Sequence, residues 1–158
     1  MSSKMNRRTF IKTAATAGGA AAILPQTLFS SGSKKRVKLG IIGTGLRGQW
    51  MLWLASKYQE VDIPSICDID NGMIDNALKI LKDGGKPEPR IYNNGEEDFL
   101  NMLHNEELDG VYIATPWEWH HPMAIAAMKS GKHVGTEVPA ALTVEECWDL
   151  VNTSEKTE

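Results

Sequence analysis

Residues 37–48 read VKLGIIGTGLRG, and this stretch decides the fold. Its first half, Val37 to Ile42, is a short apolar run of the kind that forms a buried strand. Three glycines follow at the spacing G-x-G-x-x-G, and a helical pattern of apolar residues begins after them. A strand that runs through such a loop into a helix is the arrangement that receives the pyrophosphate of a dinucleotide.

Each position of this loop has its own physical role. Gly43 permits the tight turn, Gly45 leaves room for the pyrophosphate, and Gly48 lets the helix pack close to the strand. The free N–H groups at the helix start, together with the helix dipole, favour negatively charged phosphates. Leu46 and Arg47 are predicted to lie against the cofactor, with Arg47 as a possible phosphate partner. The loop alone therefore predicts a bound nucleotide.

Asp68 narrows the nucleotide to NAD. It lies 20 positions after Gly48, at the end of a predicted second strand from Ile63 to Ile69, where a carboxylate can accept hydrogen bonds from the adenosine ribose. The same charge repels a 2′-phosphate, so we expect NAD rather than NADP. A helix N-cap is the alternative role for Asp68, although Asp70 is the better capping candidate.

Strands and helices alternate along the rest of the chain. Apolar runs predict strands at Arg90–Asn93, Gly110–Ala114 and His133–Thr136, and Thr143 with Glu146 forms a capping box. The apolar helix faces are predicted at Met51, Leu54, Ala55 and Tyr58; Ile74, Ala77, Leu78 and Leu81; Phe99, Met102 and Leu103; Ala124, Ile125 and Met128; Val144, Cys147, Trp148 and Val151. This alternation predicts an α/β fold, a doubly wound parallel sheet of the Rossmann NAD(P)-binding type.

Two further segments follow predicted strands and reach the carboxyl edge of the sheet, where ligands bind in open α/β folds. Residues 115–121 read TPWEWHH and residues 135–139 read GTEVP. Trp117 and His120 are predicted to line the site. Packing of the following helix is the alternative role for Trp119 and His121.

Charge separates the first 36 residues from the remainder. Residues 1–36 carry seven basic residues and no acidic one, whereas the rest of the chain has a net charge of −10. An acidic body argues against nucleic-acid binding. Cys67 and Cys147 lack metal-ligand spacing, so no metal site is predicted. We expect both to be buried free thiols, with a disulfide as the alternative in an exported protein.

The N-terminal segment has the pattern of an export signal. Residues 6–12 read NRRTFIK, which resembles the twin-arginine motif, and an Ala/Gly-rich apolar stretch from Thr13 to Leu24 follows. Twelve residues are too few for a stable membrane span. We therefore expect residues 1–35 to be a twin-arginine signal peptide and linker, read by the twin-arginine export machinery, and a periplasmic or extracytoplasmic location. A basic tail without this function is the alternative.

Four motifs together resemble the Gfo/Idh/MocA family of glucose–fructose oxidoreductases and inositol dehydrogenases. They are the glycine loop, the strand end at Asp68, the run Thr115-Pro116-x-x-x-His120 and Glu137-x-Pro139. The resemblance covers nearly everything after residue 36. It implies NAD(P)-dependent oxidation or reduction of sugar carbons, with a second α/β domain supplying most substrate contacts.

One departure from the family pattern points to a branch. The family usually carries a lysine after Glu137 that helps bind substrate and relay a proton, and this chain has Val138. Residues 135–151 are similar to the NAD-dependent α-N-acetylgalactosaminidases of glycoside hydrolase family 109, which often carry twin-arginine signals. That pattern implies cofactor contacts at Leu46, Arg47, Asp68, Trp117, His120, Glu137 and Val138.

The resemblance implies cleavage of glycosidic bonds by a redox route. The sugar C3 hydroxyl is oxidised to a ketone with NAD, the C2 proton becomes acidic, and elimination expels the aglycone. Water then adds to C1 and the ketone is reduced again, so NAD is recycled and the usual carboxylate pair is not needed. The alternatives are an NAD-dependent sugar or polyol dehydrogenase and a nucleotide-binding fragment without activity.

The rest of the enzyme is expected outside this chain. We expect residues 36–158 to be the Rossmann domain, truncated before its last strand, with the substrate domain missing and the catalytic residues in it. A complete stand-alone module is the alternative. The expected partners are a small-molecule carbohydrate substrate and, in the full-length form, a possible second copy of the chain.

Overall fold

In the computed structural model, residues 36–157 are described, and they form a parallel sheet covered by helices. The strands are β1 (Val37–Ile42), β2 (Val61–Asp62), β3 (Ser65–Cys67), β4 (Arg90–Tyr92), β5 (Gly110–Ile113) and β6 (His133–Thr136). The helices are α1 (Leu46–Ser56), α2 (Asn71–Asp83), α3 (Asp98–Asn105), α4 (Trp117–Lys129) and α5 (Val144–Thr157). The predicted alternation of strands and helices is therefore confirmed. The predictions for residues 1–35 lie outside the described part of the chain.

The strand order creates a binding crevice. The sheet runs β4-β3-β1-β5-β6 with every pair parallel, and β2 pairs with the start of β1. The chain leaves β1 toward β3 and β4 and then crosses to the other side of β1 for β5 and β6. Ligands bind at such a reversal, outside the carboxyl ends of the strands. Here that position lies between β1 and β5.

The second predicted strand is shorter than expected, and a separate two-residue strand precedes it. Ile63 to Ile69 was expected as one strand, but the structure has β2 before it and β3 within it. Pro64 separates the two strands, because a proline has no N–H for the sheet ladder. Its carbonyl oxygen accepts a hydrogen bond of 2.8 Å from the backbone N–H of Arg90. Asp68 consequently follows the strand directly and lies in the loop above it.

Alternation along β1 supplies a core on each face of the sheet. Ile41 packs with Ile66 and with apolar residues of α1 and α2, whereas Ile42 packs with Ile113 and apolar residues of α3 and α4. Both isoleucines of β1 are at most 1% exposed. The sheet is thereby held between two helical layers, as predicted for a doubly wound fold.

The predicted apolar face of α1 is confirmed only in part: Ala55 is buried and Met51 packs against the core, but Leu54 is only half-buried. Leu52 and Ala55 are buried, whereas Tyr58 lies beyond the helix end and is 55% exposed. Gly48 sets this phase, because it packs directly against the carbonyl oxygen of Gly43 and turns its own side of the helix toward the sheet. The half-exposed rings of the α1 tryptophans are on the remaining surface.

The predicted apolar face of α5 is also wrong. Val144, Trp148 and Val151 are exposed, and so is Cys147, which contradicts the prediction of a buried thiol. Within the described residues, α5 buries Thr153 and packs Leu150 against the core. The side of α5 that faces inward is therefore the one that carries Leu150 and Thr153. Both cysteines are free, and Cys67 is buried as predicted.

Local capping follows the sequence. The Oγ1 atom of Thr143 accepts from the N–H of Glu146 at 3.1 Å, and the Glu146 carboxylate accepts from the N–H groups of Leu142 and Thr143. This is the predicted capping box at the start of α5. Among residues 36–157, no helix combines the length and the apolar character needed to cross a membrane.

Candidate nucleotide-binding site

The glycine loop lies across the ends of three strands. Gly43 adopts a positive φ of +88°, and a Cβ there would lie 2.6 Å from the carbonyl oxygen of Ala114. Its N–H donates to the carbonyl oxygen of Cys67 at 2.8 Å. A Cβ at Gly48 would lie 2.0 Å from the carbonyl oxygen of Gly43. Only glycine fits these two positions, and they bring the start of α1 down onto the sheet.

Gly45 has the opposite surroundings. A Cβ at this residue would meet no atom within 4 Å in the described part of the chain, apart from its two neighbours in sequence, so the space beside it is open. Gly45 is the N-cap of α1, and within residues 36–157 no side chain caps the helix and no acidic residue is in its first turn. The N–H groups of the first turn are therefore available to an anion, which the helix dipole also favours.

Asp68 lies directly beside this loop. Its Oδ2 atom accepts hydrogen bonds from the backbone N–H of Thr44 at 2.5 Å and from the Thr44 Oγ1 at 2.9 Å. Its Oδ1 atom accepts from the N–H of Asp70 at 2.9 Å. The cap of α2 is Asp70 itself, whose side chain accepts from Gly72 and Met73. The capping role expected for Asp70 is confirmed, and the Asp68 carboxylate is not the cap of α2.

A first cavity of about 370 Å³ opens at this position. The glycine loop and Asp68 form one wall, and Ile69 and Met73 extend it toward α2. Glu96, after β4, and Trp119, in α4, line the other sides. Trp119 also packs edge-to-face on Phe99, with ring centroids 6.2 Å apart. The cavity therefore offers apolar walls for a flat ring and a carboxylate for hydroxyl groups.

A second cavity of about 340 Å³ adjoins the first, and both include Ala114 and Thr115 in their walls. Its other residues come from α1, the start of α4 and the loop after β6. All were predicted as site residues from the sequence: Arg47, Trp117, His120, Glu137 and Val138. Leu46, the remaining predicted contact, lines neither of the two cavities and is 87% exposed.

Glu137 is the centre of a charged network in the second cavity. The Arg47 guanidinium donates to both of its carboxylate oxygens, at 3.1 and 3.2 Å. The hydroxyl group of Tyr112 donates to Oε1 at 2.5 Å. The hydrogen bond from Tyr112 and then that from Arg47 hold the pKa of Glu137 below its usual value. Glu137 is consequently a carboxylate at neutral pH. The Arg47 guanidinium, predicted as a phosphate partner, forms an ion pair with this carboxylate.

Tyr112 belongs to this network although the sequence indicated only a strand residue. Burial, and secondly the neighbouring Glu137 carboxylate, raise the pKa of Tyr112 to about 12. The phenol therefore stays protonated at neutral pH and donates a hydrogen bond to the Glu137 carboxylate. Thr44 was likewise missed, since it occupies a variable position of the glycine motif. No local sequence signal could have found it, because Thr44 lies 24 positions before Asp68.

His120 joins the two loops that carry the second cavity. It is 1% exposed, with Nδ1 at 2.7 Å from the carbonyl oxygen of Pro139 and Nε2 at 2.8 Å from that of Thr115. The ring thus fixes the loop after β5 to the loop after β6. Trp117 and Val138 remain exposed at the mouth of the cavity. His121 points away, toward Asp149 of α5 at 3.0 Å.

The residues present fit a dinucleotide. The open space over Gly45 and the uncapped start of α1 suit a pyrophosphate, and Asp68 suits a ribose on one side of it. The second cavity continues past Thr115 to the exposed ring of Trp117, which suits the other nucleoside half. The two adjoining cavities therefore have the arrangement that NAD needs.

Comparison with known proteins agrees with this geometry. The model of the Gfo/Idh/MocA family, described as an oxidoreductase family with an NAD-binding Rossmann fold, matches residues 37–158. A glycosyl hydrolase family 109 protein of Saccharopolyspora erythraea is 50% identical over 121 residues, covering 77% of this chain and 26% of that protein. An alpha-N-acetylgalactosaminidase of Tannerella forsythia is 52% identical over 122 residues, again covering 77% and 26%. The chain thus spans about a quarter of the length of these curated relatives.

The fold also matches solved structures. The scyllo-inositol dehydrogenase of Lactobacillus casei, with bound NAD(H) and scyllo-inositol, superimposes with a TM-score of 0.66 at 26% identity. The match covers 78% of this chain and 34% of that one. The chain therefore belongs to the Gfo/Idh/MocA oxidoreductase family and carries its NAD-binding Rossmann fold.

Proposed function

We propose that the chain is the NAD-binding part of an exported glycosidase that resembles the α-N-acetylgalactosaminidases of glycoside hydrolase family 109. The observation that carries the proposal is the pair Glu137-Val138 in the wall of the second cavity. Val138 replaces the usual proton-relaying lysine of the family, and its side chain is 79% exposed at the cavity mouth. The identity of 50–52% to family 109 relatives supports the same branch.

The residues of the chain bind and orient the cofactor. Asp68 accepts a hydrogen bond from the adenosine ribose, and the start of α1 receives the pyrophosphate. Glu137, held as a carboxylate by Tyr112 and Arg47, accepts a hydrogen bond from a hydroxyl group in the second cavity. When bound there, NAD supplies reversible acceptance of a hydride from the sugar C3.

Proton transfer has to come from other groups. Val138 carries no titratable atom, and the Glu137 carboxylate is a weak base because its pKa is lowered and both of its oxygens already accept hydrogen bonds from Arg47 or Tyr112. His120 has both ring nitrogens against backbone carbonyl oxygens. We expect the sugar-binding and acid–base groups in the region of the relatives that this chain does not span.

Export by the twin-arginine route completes the proposal. That route carries folded proteins, which suits an enzyme that acquires a nucleotide in the cytoplasm. Residues 1–35 fused to a reporter protein should direct it to the periplasm, and replacing Arg7 and Arg8 by lysine should abolish this. A reporter that leaves the cytoplasm equally well with both lysines would remove export by this route from the proposal.

A version of the protein that spans the length of its relatives tests the activity. Incubation with p-nitrophenyl α-N-acetylgalactosaminide should release nitrophenol without net accumulation of NADH. The similarity to a scyllo-inositol dehydrogenase makes a sugar or polyol dehydrogenase the second candidate. Steady NADH production from a free sugar or polyol, without nitrophenol release, would support that candidate and contradict the glycosidase.

A further inference from the structure

Thr44 is a fully buried residue of the glycine loop whose polar atoms are all engaged. Its N–H and its Oγ1 both donate to the same oxygen, Oδ2 of Asp68, at 2.5 and 2.9 Å. Its carbonyl oxygen accepts from the side-chain amide of Gln49 at 2.9 Å. Thr44 is 0% exposed, so its donors are shielded from water, which strengthens the bonds to the half-buried carboxylate.

The two bonds from Thr44 limit what Asp68 can still bind. A carboxylate oxygen has two lone pairs for hydrogen bonds, so the Oδ2 atom is filled. The Oδ1 atom already accepts from the N–H of Asp70 at 2.9 Å and has one acceptor position left. Asp68 is half-buried and lies in the wall of the first cavity.

We propose that Thr44 is a positioning residue for the nucleotide: it fixes the Asp68 carboxylate so that only Oδ1 receives the adenosine ribose, through one hydroxyl group. This inference rests on the proposed role of Asp68 as the ribose acceptor. Without the Thr44 hydroxyl, Oδ2 gains an open acceptor position, and only the backbone N–H groups of Thr44 and Asp70 still orient the carboxylate. Thr44 is thus a determinant of how the ribose is held, although it does not line either cavity.

Valine and serine at position 44 separate positioning from packing. Valine keeps the shape of threonine and removes the O–H, whereas serine keeps the O–H and removes a methyl group. NAD binding by the 158-residue chain is measured from its tryptophan fluorescence, since it contains five tryptophans. We expect Thr44→Val to weaken NAD binding about tenfold, because one of the three hydrogen bonds that orient the Asp68 carboxylate toward the ribose is lost. Thr44→Ser should stay within about threefold of the unaltered chain, because it retains that bond.

A double-mutant cycle with Asp68→Ala gives the decisive measurement. If Thr44 acts through Asp68, Thr44→Val causes no further loss of affinity in the Asp68→Ala background. Equal losses in both backgrounds would overturn the positioning role. An unchanged affinity of Asp68→Ala alone would instead overturn the proposed role of Asp68, so the two failures are distinguishable.

Nucleotide analogues test the same inference on the unaltered chain. NAD analogues that lack either the 2′- or the 3′-hydroxyl of the adenosine ribose should differ in affinity by about tenfold, because one hydroxyl bonds to the charged Oδ1. Equal losses with both analogues would contradict a single hydroxyl contact. This measurement can contradict the single contact at Oδ1, and with it the proposal, even if Thr44→Val does not fold, which far-UV circular dichroism reports.

Discussion

Two glycines of one loop should respond in opposite ways to the same substitution. Gly45→Ala adds a methyl group where, among residues 36–157 and apart from the adjoining residues, no atom lies within 4 Å. Its backbone angles, φ −65° and ψ −166°, are also open to alanine. Alanine gains about 0.4–1 kcal/mol by restricting the unfolded chain, and it loses about 0.5–1 kcal/mol as an N-cap relative to glycine. The free energy of unfolding should therefore change by less than about 0.5 kcal/mol.

NAD binding should nevertheless be lost in this variant. The methyl group occupies the open space beside the first turn of α1, where the pyrophosphate has to approach the backbone. We expect the affinity for NAD to fall by more than about tenfold, since a backbone-to-phosphate contact is a hydrogen bond to a charged group. Titration followed by tryptophan fluorescence measures this, and thermal unfolding of the same sample measures stability.

Gly48→Ala is the matched control, with the clash inside the protein. Its Cβ would lie 2.0 Å from the carbonyl oxygen and 2.9 Å from the carbonyl carbon of Gly43. Forced overpacking costs about 1–3 kcal/mol and occasionally more, and helix propensity returns about 1 kcal/mol. A Cβ 2.0 Å from a backbone atom places the cost at the upper end of this range, about 3 kcal/mol. The net loss of about 2 kcal/mol lowers the melting temperature by roughly 5–10 °C for a domain of this size. Equal destabilisation by both substitutions, or full NAD affinity in Gly45→Ala, would refute the assigned geometry of the loop.

Three further predictions follow from the site and the surface. Asp68→Ala should weaken NAD binding by about 1–3 kcal/mol and lessen the preference for NAD over NADP; an unchanged affinity for NAD would remove Asp68 from the site. Because the pKa of Tyr112 is raised to about 12 from 10.0, folding stability should fall as the pH rises through this interval. Tyr112→Phe should flatten that loss in thermal melts, whereas the control Tyr58→Phe, at a ring 55% exposed, should not; the same slope in all three proteins would count against the shift. An aromatic disulfide reagent at neutral pH should titrate the exposed Cys147 rapidly, while the buried Cys67, with its pKa raised to about 12 mainly by burial, should react only after denaturation. Two fast thiols in the native chain would contradict this assignment.

Short-range patterns carried most of what could be predicted. The glycine loop, the Asp70 cap and the capping box at Thr143 each depend on residues within a few positions of one another, so their geometry follows from local sequence. Strand order was also predictable in outline, because right-handed crossovers leave few arrangements for alternating strands and helices. The cofactor class follows from these features together with Asp68.

The sequence did not predict correctly which faces of α1 and α5 are buried. The apolar residues of α1 and α5 permit more than one face to turn inward, and the choice depends on what packs against them. In α1 the backbone contact of Gly48 with Gly43 decides the buried face. In α5 the contacts with α4 leave Trp148 exposed and bury Thr153. Such choices arise from tertiary packing, which overrides local periodicity.

The sequence by itself determined that residues 37–48 form a strand, a phosphate-binding loop and a helix start, because those steps need only local backbone geometry. Only the tertiary structure decided which charged and polar side chains pair in the site. Thr44 meets Asp68 across 24 positions, and Arg47 meets Glu137 across 90. Contacts at such separations exist only because parallel strands bring their carboxyl ends to one edge, where the distances between side chains set hydrogen bonds and protonation.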